Sequence, residues 1–332
     1  MRLDFANAAH YSSPSLPHET RSSTKLHPAL PVTENQWIKP PQFAAFGEEG
    51  TDAHRLCSGA GGWVERLGED VLACYKNDTE RDVMLAGLPA LEWRPRRVFG
   101  KFLPRHNEDR IAPVLLSGDA SIPLETVVRE AGVRYALDFE AGYSHGLFLD
   151  QRANRALIRR AAPKRLLNTF AYTCSFSVVA ALGGAETVSV DLSKRSIERG
   201  RANFALNGLD PGAGHRFLAD DVLDVIPRLA RRGEKFDAII LDPPTFSRGN
   251  KGRRWQVEQH FEGLLAATLD IAAPGARILL STNCAKLNPQ ALERMARYCL
   301  KVARTGGSLH REPSLPDFPP GHSASAVWLT LR

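Results

Sequence analysis

The second half of the chain alternates short apolar runs with longer segments of helical periodicity. Five runs have the length and composition of buried strands: "RLLNTF", "TVSVD", "HRFLA", "FDAIILD" and "GARILLST". Each is followed by a segment with apolar residues on one helical face, such as "SKRSIERGRANFALNG", where Ser193 can cap the start and Gly208 can end the helix. This alternation predicts a doubly wound, mostly parallel α/β sheet of Rossmann-like type.

The two ends of the chain follow different patterns. The C-terminal "SLHREPSLPDFPPGHSASAVWLTL" predicts two strands around a proline-rich loop, which would add an antiparallel terminal strand to the sheet. Residues 45–140 alternate short apolar stretches with glycines, as in "GGWVERLG", "DVLACYKN", "RRVFGKFL" and "VRYALDFE", and predict a small β-rich N-terminal domain that could bind the substrate. Residues 1–44 are rich in Ser, Pro, His and Thr without a period and predict an extended, partly disordered arm. The α/β domain would then occupy residues 141–332.

Composition narrows the class of protein only moderately. The 332 residues are 43% hydrophobic, which is enough for a sizeable core, yet no apolar run approaches the roughly 20 residues of a membrane span. The N-terminus carries early acids and no signal-peptide pattern, and the five cysteines show no CxxC or zinc-finger spacing. We therefore expect a cytoplasmic protein without a membrane partner or a metal. A net charge of +6 permits nucleic-acid binding, but an ordinary charge excess explains it equally well.

The loops after the predicted strands carry the candidate chemistry, because the carboxyl ends of parallel strands line a common crevice. The loop "NTFAYTCSFS" is polar and opens a helix, so its backbone N–H groups face the crevice. It is not a GxGxxG loop, which argues against a nicotinamide dehydrogenase. Asp191 ends the second strand and can accept hydrogen bonds from two ribose hydroxyls. The alternative role for Asp191, capping the next helix, can be filled by Ser193.

The third and fourth strands also end in acids. Asp220 and Asp221 could accept from an exocyclic amine such as that of adenine, or could simply be first-turn helix acids favoured by the macrodipole. Asp242, Pro243 and Pro244 follow the fourth strand, which the prolines terminate. Phe246 could stack on a planar base, and the alternative is that it lies in the core.

Taken together, these motifs resemble the class I S-adenosylmethionine-dependent methyltransferases. More narrowly, they resemble bacterial ribosomal RNA large-subunit methyltransferases that modify a base, at cytosine C5 or at a guanine nitrogen. "HGLFLDQRANR" resembles the family's segment in which a Phe-Leu-Asp-x-Arg stretch lies beside the cofactor. "NTFAYTCSFS" resembles its cofactor loop, with Cys174 where the family usually has glycine, "VSVDLSK" resembles its ribose segment, "ADDV" its adenine segment and "DPPTFS" its catalytic loop.

The resemblance, which covers residues from about 140 to the C-terminus, implies methyl transfer from S-adenosylmethionine (EC 2.1.1) to a base of RNA, with ribosomal RNA as the expected substrate. A small-molecule or protein methyltransferase on the same fold is the alternative. The implied cofactor-binding residues are Phe148, Asp150, Arg152, Asn168, Phe170, Tyr172, Thr173, Cys174, Asp191, Leu192, Asp220, Asp221 and Asp242. The implied catalytic residues are Asp242, Pro243, Pro244 and Phe246.

Two further features bear on the substrate. The segment "SRGNKGRRW" predicts a mobile lid that contacts RNA phosphates, or else a solvated charged loop; its candidate residues are Arg248, Lys251, Arg253, Arg254 and Trp255. Cys284 follows the fifth strand, where the cytosine-C5 members carry a cysteine that attacks the base, and Lys286 could lower its thiol pKa. The alternative is a small buried residue. The sequence leaves the target atom open between a guanine nitrogen and cytosine C5.

Overall fold

Two large sheets organise the described part of the chain, residues 34–91, 93–104, 110–249 and 252–332 of a computed structural model. The first sheet has six strands in sequence order, and all neighbours are antiparallel except the parallel fourth and fifth. Its strands are β1 (Gln36–Trp37), β2 (Ala53–Gly59), β3 (Gly62–Leu67), β4 (Asp70–Tyr75), β5 (Arg97–Phe102) and β6 (Val114–Gly118).

Two helices, α1 (Pro40–Glu48) and α2 (Asp78–Leu85), accompany the first sheet. The boundary predicted at residue 44 falls inside α1, so the N-terminal sheet begins before it. The prolines that suggested an extended arm occupy the first positions of α1, where a missing N–H is tolerated. Phe46 of this helix is buried and stacks on His54 at 4.4 Å. The remainder of the predicted arm, residues 1–33, lies outside the described residues.

A separate hairpin connects the two sheets along the chain. It pairs β7 (Glu125–Glu130) with β8 (Val133–Asp138). Its β8 edge is held by the α/β half, because the Ala136 N–H donates to Asn203 Oδ1 at 2.9 Å. Glu130 of β7 forms a buried ion pair with Arg155. On its other side, the Arg129 N–H of β7 donates to Asp52 Oδ1 at 2.6 Å, so the hairpin is bound both to the α/β half and to the segment that leads into β2.

The second sheet confirms the predicted doubly wound α/β class. Its strands are β9 (Arg165–Thr169), β10 (Glu186–Asp191), β11 (His215–Ala219), β12 (Phe236–Leu241), β15 (Ala272–Thr282), β16 (Gly307–His310) and β17 (Ser325–Leu331). The strand order is β11-β10-β9-β12-β15-β17-β16: the first five are parallel, β17 pairs antiparallel with β15, and β16 pairs antiparallel with β17. A small hairpin, β13 (Phe246–Arg248) and β14 (Arg254–Gln256), follows β12. The helices are α3 (Arg152–Ala161), α4 (Ser175–Leu182), α5 (Lys194–Leu206), α6 (Val222–Arg231), α7 (Val257–Leu269) and α8 (Pro289–Val302).

Apolar side chains cover both faces of the second sheet, as its near-continuous apolar strands require. On one face the core is shared between the sheets, since Leu72 and Phe99 of the first pack in one cluster with Leu166 and Ile240 of the second. This core is continuous across residue 140. The division of the chain into two domains near that residue therefore stays a prediction. Among the described residues, no helix is both long and apolar enough to cross a membrane.

The strand order reverses between β9 and β12, which are neighbours in the sheet although three helices separate them in the chain. At such a switch point the loops that follow the two strands diverge and leave a crevice at their carboxyl ends. The loops 170–174 and 242–245 meet here, and the candidate site lies between them.

Candidate active site

A cleft of about 870 Å³ opens at the switch point, within the size range of small-molecule sites. Its walls are the loops after β9, β10 and β12, the turn 148–151, the start of α6 and the hairpin β13–β14. Most of the predicted cofactor residues line it, namely Phe148, Asp150, Asn168, Phe170, Tyr172, Asp191, Leu192, Asp221 and Asp242. Four of the predicted ones, Arg152, Thr173, Cys174 and Asp220, do not.

The loop after β9 has an unusual backbone. Phe170, Tyr172 and Cys174 all have left-handed φ angles, of 52°, 48° and 60°. Such angles are unfavourable for residues with a side chain and persist only where the surroundings enforce them. Here the Tyr172 hydroxyl donates to the Ser144 carbonyl at 2.8 Å, and the Phe170 ring packs 5.6 Å from Trp255. A strained backbone at three alternate positions marks this loop as functional.

Cys174 takes the left-handed conformation that glycine adopts readily, which accounts for the glycine that the resembled family has at this position. Its thiol is buried and faces Gly200 of α5, where an added Cβ would lie 2.4 Å from Sγ. Burial raises the pKa of the Cys174 thiol to about 12. Thr173 is also buried, and its hydroxyl donates to the Gly146 carbonyl at 2.6 Å. The side chains of Thr173 and Cys174 therefore support the loop instead of lining the cleft.

Asp191 lies at the end of β10 with both carboxylate oxygens turned to backbone donors. Oδ2 accepts from the Tyr172 N–H at 2.9 Å and Oδ1 from the Ser193 N–H at 2.8 Å. Burial raises the pKa of Asp191, and these two hydrogen bonds oppose that rise. The Ser193 hydroxyl accepts from the Ser196 N–H and caps α5, so Asp191 is not the cap. Each oxygen of Asp191 keeps a lone pair for a ribose hydroxyl, which fits the predicted role.

The two acids after β11 have separate roles. Asp220 pairs with Arg228 and does not line the cleft; although burial would raise its pKa, the Arg228 guanidinium holds the pKa below its ordinary value. Asp221 lines the cleft and caps α6, where its Oδ1 accepts from the Leu223 N–H at 2.9 Å. Its Oδ2 accepts from Arg253 at 3.3 Å. Only Asp221 is therefore placed to contact an adenine amine.

The segment "FLDQR" divides between the cleft and the core. Phe148 is 45% exposed and lies 5.4 Å from the Tyr172 ring, and Asp150 accepts from the Ala324 N–H at 2.9 Å. Arg152 is buried, pairs with Asp317 and lies over the Phe46 ring. The expectation that Arg152 binds the cofactor is therefore corrected: as the first residue of α3 it points towards α1 and the C-terminal loop.

Asp242 is half-buried at the end of β12 and lines the cleft beside Pro243 and Pro244. Burial raises the pKa of Asp242 to about 6, with the negative charge of Asp150 adding to the rise and a hydrogen bond from Ser281 opposing it. Gln151 Nε2 donates to Asp242 Oδ2 at 3.3 Å. Sequence reasoning missed Gln151, although it stands inside the quoted "FLDQR".

Phe246 begins the hairpin with its ring 47% exposed at the cleft, so the alternative that it lies in the core is wrong. Trp255 on the opposite strand is only 4% exposed, and its indole N–H donates to the Pro244 carbonyl at 2.8 Å. Trp255 lines the cleft but is largely buried and supports the turn that carries the prolines, so its contact with RNA stays a prediction that this position does not favour. Arg248 and Arg254 are exposed and stand directly opposite each other on the two strands.

The predicted mobile lid is a hairpin tied down by ion pairs. Arg253 contacts Asp221 at 3.3 Å and Asp224 at 3.0 Å, both at the start of α6. Gly249 lies close enough to Asp221 that an added Cβ would be 2.6 Å from Oδ2. Lys251 lies outside the described residues. Arg253 thus forms ion pairs within the protein itself, and of the described basic residues of this segment Arg248 and Arg254 remain candidates for phosphate contacts.

Cys284 does not line the cleft, whereas its neighbour Asn283 does. The cysteine is 6% exposed and packs in the core, and its thiol donates to Glu258 Oε1 at 3.7 Å. Lys286, expected to activate the thiol, pairs instead with Glu258 at 3.1 Å. The buried-residue alternative fits these contacts better than a nucleophile. Within the described ranges, no cluster of His, Cys, Asp and Glu could hold a metal ion.

This fold and site are those of a methyltransferase. A family model described as S-adenosylmethionine-dependent methyltransferase matches residues 100–330, and the chain belongs to that family. Its cofactor is S-adenosylmethionine, and the two oxygens of Asp191, the cleft volume and the loop 170–174 suit a nucleoside cofactor.

Comparisons of sequence and of structure both find similar proteins that are named as methyltransferases. The chain is 37% identical over 216 residues to YwbD of Bacillus subtilis (strain 168), covering 62% of this chain and 54% of that protein. It is 38% identical over 199 residues to ribosomal RNA large subunit methyltransferase I of Aeromonas salmonicida (strain A449), covering 59% and 50%. The chain thus spans about half the length of these relatives. The crystal structure of SMU.776 with SAH superposes with a TM-score of 0.75 at 28% identity, covering 88% of this chain and 78% of that one.

Proposed function

We propose that the protein methylates a base nitrogen in RNA, with ribosomal RNA as the substrate and the cytoplasm as the site of action. The observation that carries the proposal is a single hairpin at the cleft mouth that presents an exposed aromatic ring, Phe246, beside two opposed arginines, Arg248 and Arg254. An aromatic face next to cations is the combination that binds an unstacked base and its phosphates.

The arginine pair favours an anionic substrate. Like charges directly opposite each other on neighbouring strands repel, and the repulsion is relieved when a phosphate lies between them. Neither arginine forms an ion pair with another described residue, unlike Arg253. A small neutral substrate would make no use of this arrangement.

The chemistry divides between the cofactor and the chain. When bound, S-adenosylmethionine supplies an electrophilic methyl group, and the protein must align the acceptor with it. Phe246 offers a stacking face for the base, which has to be splayed out of the RNA. Asp242 at the cleft edge offers an acceptor for an N–H group on the edge of that base.

The burial of Cys284 supports nitrogen as the target. Methylation at cytosine C5 needs a nucleophile that adds to the ring, whereas a ring nitrogen already carries a lone pair. Cys284 packs in the core while Asn283 faces the cleft, so the described residues that line the cleft offer no thiol to add to the ring, which favours the second chemistry. The Aeromonas salmonicida relative, named for the ribosomal RNA large subunit, supports the choice of RNA.

The direct test is transfer of labelled methyl groups to undermodified total RNA, followed by nucleoside analysis. We expect label in a nitrogen-methylated base. Label that enters only protein or small molecules would overturn the proposal in favour of the alternative substrate class.

A second measurement tests the arginine pair. Arg254→Gln should reduce the salt dependence of RNA binding by about one phosphate contact, a change of roughly 0.7–0.9 in the slope of log affinity against log salt. The control is Arg297→Gln on the exposed face of α8, which should leave the slope unchanged. RNA affinity indifferent to salt in the wild type would contradict the role of the hairpin.

A further inference from the structure

A buried chain of side chains runs from the C-terminal strand to Asp242. Trp328 of β17 donates its indole N–H to Asn154 Oδ1 at 2.8 Å. Asn154 Nδ2 donates to Gln151 Oε1 at 2.8 Å. Gln151 Nε2 then donates to Ser281 Oγ at 2.8 Å and to Asp242 Oδ2 at 3.3 Å. Trp328, Asn154 and Gln151 are all buried.

The chemistry of the first member fixes the orientation of the others. An indole N–H can only donate, so the atom of Asn154 that faces Trp328 must be its oxygen. The amide of Asn154 then turns its NH₂ group towards Gln151, which must accept that hydrogen bond with its own oxygen. Gln151 consequently presents its NH₂ group to Asp242 and Ser281. Reversing either amide would leave two donors or two acceptors face to face in the core, which is costly.

We propose that Gln151, oriented by Asn154 and Trp328, positions the Asp242 carboxylate as a hydrogen-bond acceptor for the edge of the target base. This inference rests on the proposed function and adds a positioning residue to it. A donor on Oδ2 fixes the carboxyl plane and leaves acceptor capacity for an N–H group of the base. A fixed acceptor holds the base in line with the transferred methyl group.

The charged groups around Asp242 give this arrangement a pH dependence. Burial raises the pKa of Asp242 to about 6, Ser281 opposes the rise by donating a hydrogen bond, Asp150 adds to it, and Arg155 opposes it. The charge of Arg155 is already paired with Glu130, with Nε 2.7 Å from Oε1. Asp242 is therefore an acceptor above about pH 6 and becomes a donor below it, when it would repel the N–H of the base.

The variant Gln151→Glu tests the inference by replacing the donor with an acceptor of nearly the same shape. Two carboxyl groups would then share one proton, so ionisation of Asp242 becomes harder. We expect the acid limb of the kcat profile to move upward from its position near pH 6 by about one unit or more, with little change in cofactor affinity. The matched control is Gln36→Glu on the exposed first strand, which should keep the wild-type profile.

Trp328→Phe tests the far end of the chain without touching the cleft. It removes the donor that orients Asn154, so both amides can turn and Asp242 loses its fixed partner. We expect a lower kcat at an unchanged cofactor affinity. The control is Trp63→Phe in the first sheet, which should leave kcat unchanged. Equal kcat in Trp328→Phe and the wild type would mean that the chain does not orient Gln151.

A substrate-free measurement keeps the inference separate from the proposed function. The folded-state pKa of Asp242 lies above its ordinary value of 3.8, so its protonated form stabilises the fold at low pH and this stabilisation is lost as pH rises through about 6. The difference in unfolding free energy between wild type and Asp242→Asn should change across that window. In the Gln151→Glu background the window should extend to higher pH. If it does not move, Gln151 does not act on Asp242, whatever substrate is methylated; if it moves but RNA accepts no methyl group, only the proposed function fails.

Discussion

The contact between Cys174 and Gly200 predicts a strong coupling between two positions in different elements. A methyl group added at Gly200 would lie 2.4 Å from Cys174 Sγ and 3.0 Å from its Cβ, whereas carbon atoms in contact prefer roughly 3.5–4.0 Å. Both residues are buried, and rotation about the Cα–Cβ bond of Cys174 would move Sγ but not Cβ, so a side-chain rotation cannot relieve the whole overlap. We therefore expect Gly200→Ala to destabilise the protein.

The magnitude follows from two opposing effects. Overpacking in a dense core destabilises by about 1–3 kcal/mol. Alanine in a helix interior is better than glycine by about 1 kcal/mol, and Gly200 lies within α5. The net loss should be up to about 2 kcal/mol. Cys174→Gly removes the side chain that the new methyl group of Gly200→Ala would overlap. It also removes the penalty of about 1 kcal/mol that a non-glycine residue has in the left-handed conformation. In that background Gly200→Ala should stabilise the protein by up to about 1 kcal/mol.

The assay is urea denaturation of the wild type, both single variants and the double variant. Equal m-values would show that the midpoints report stability alone. We expect the effects to be non-additive by about 1–3 kcal/mol, the size of the overpacking effect. Additive effects, within about 0.5 kcal/mol, would refute the view that Gly200 is a glycine in order to accommodate the thiol of Cys174.

Three further outcomes are expected. Asp191→Ala should weaken S-adenosylmethionine binding by roughly 1.5–3 kcal/mol, the range for hydrogen bonds to a charged group, and unchanged calorimetric affinity in a folded variant would refute the ribose assignment. Phe246→Ala should lower turnover on RNA far more than cofactor affinity, and equal turnover would remove the stacking role. Cys284→Ser should keep methyl transfer because the thiol does not line the cleft; loss of activity in a folded, cofactor-binding variant, with covalent trapping of 5-fluorocytidine RNA by the wild type, would instead support cytosine chemistry.

The second sheet could be predicted closely because its parallel strands are buried on both faces and read as uninterrupted apolar runs. Its antiparallel end was likewise visible, as β16 and β17 flank the proline-rich loop. The first sheet was harder. Helix α1 begins with two prolines, and in a sequence two adjacent prolines more often indicate a loop than the start of a helix. The sequence indicates the strands of the first sheet only in part, because short strands between glycines show little alternation of apolar and polar residues.

In the candidate site, the positions of the loops were predictable but the directions of the side chains were not. Spacing placed Asp191, Asp221 and Asp242 at strand ends, and all three line the cleft. The same spacing could not distinguish Asp220 from Asp221. The two acids are adjacent, but Asp220 pairs with Arg228 on α6 whereas Asp221 lines the cleft. Gln151 carries no signal of its own, because an amide becomes informative only when its donors and acceptors are known.

The hairpin β13–β14 connects the expected cofactor end of the cleft with the proposed substrate end. Its first residue, Phe246, lines the cleft as the proposed stacking face for the base, and its Arg253 binds Asp221, the acid at the expected adenine end. Trp255 fixes the same hairpin to the Pro244 carbonyl, directly after Asp242. A displacement at either end must pass through these contacts, because the element is short and anchored on both sides. The proposed stacking face for the base and the ion pair at the expected cofactor end of the cleft therefore belong to one anchored hairpin.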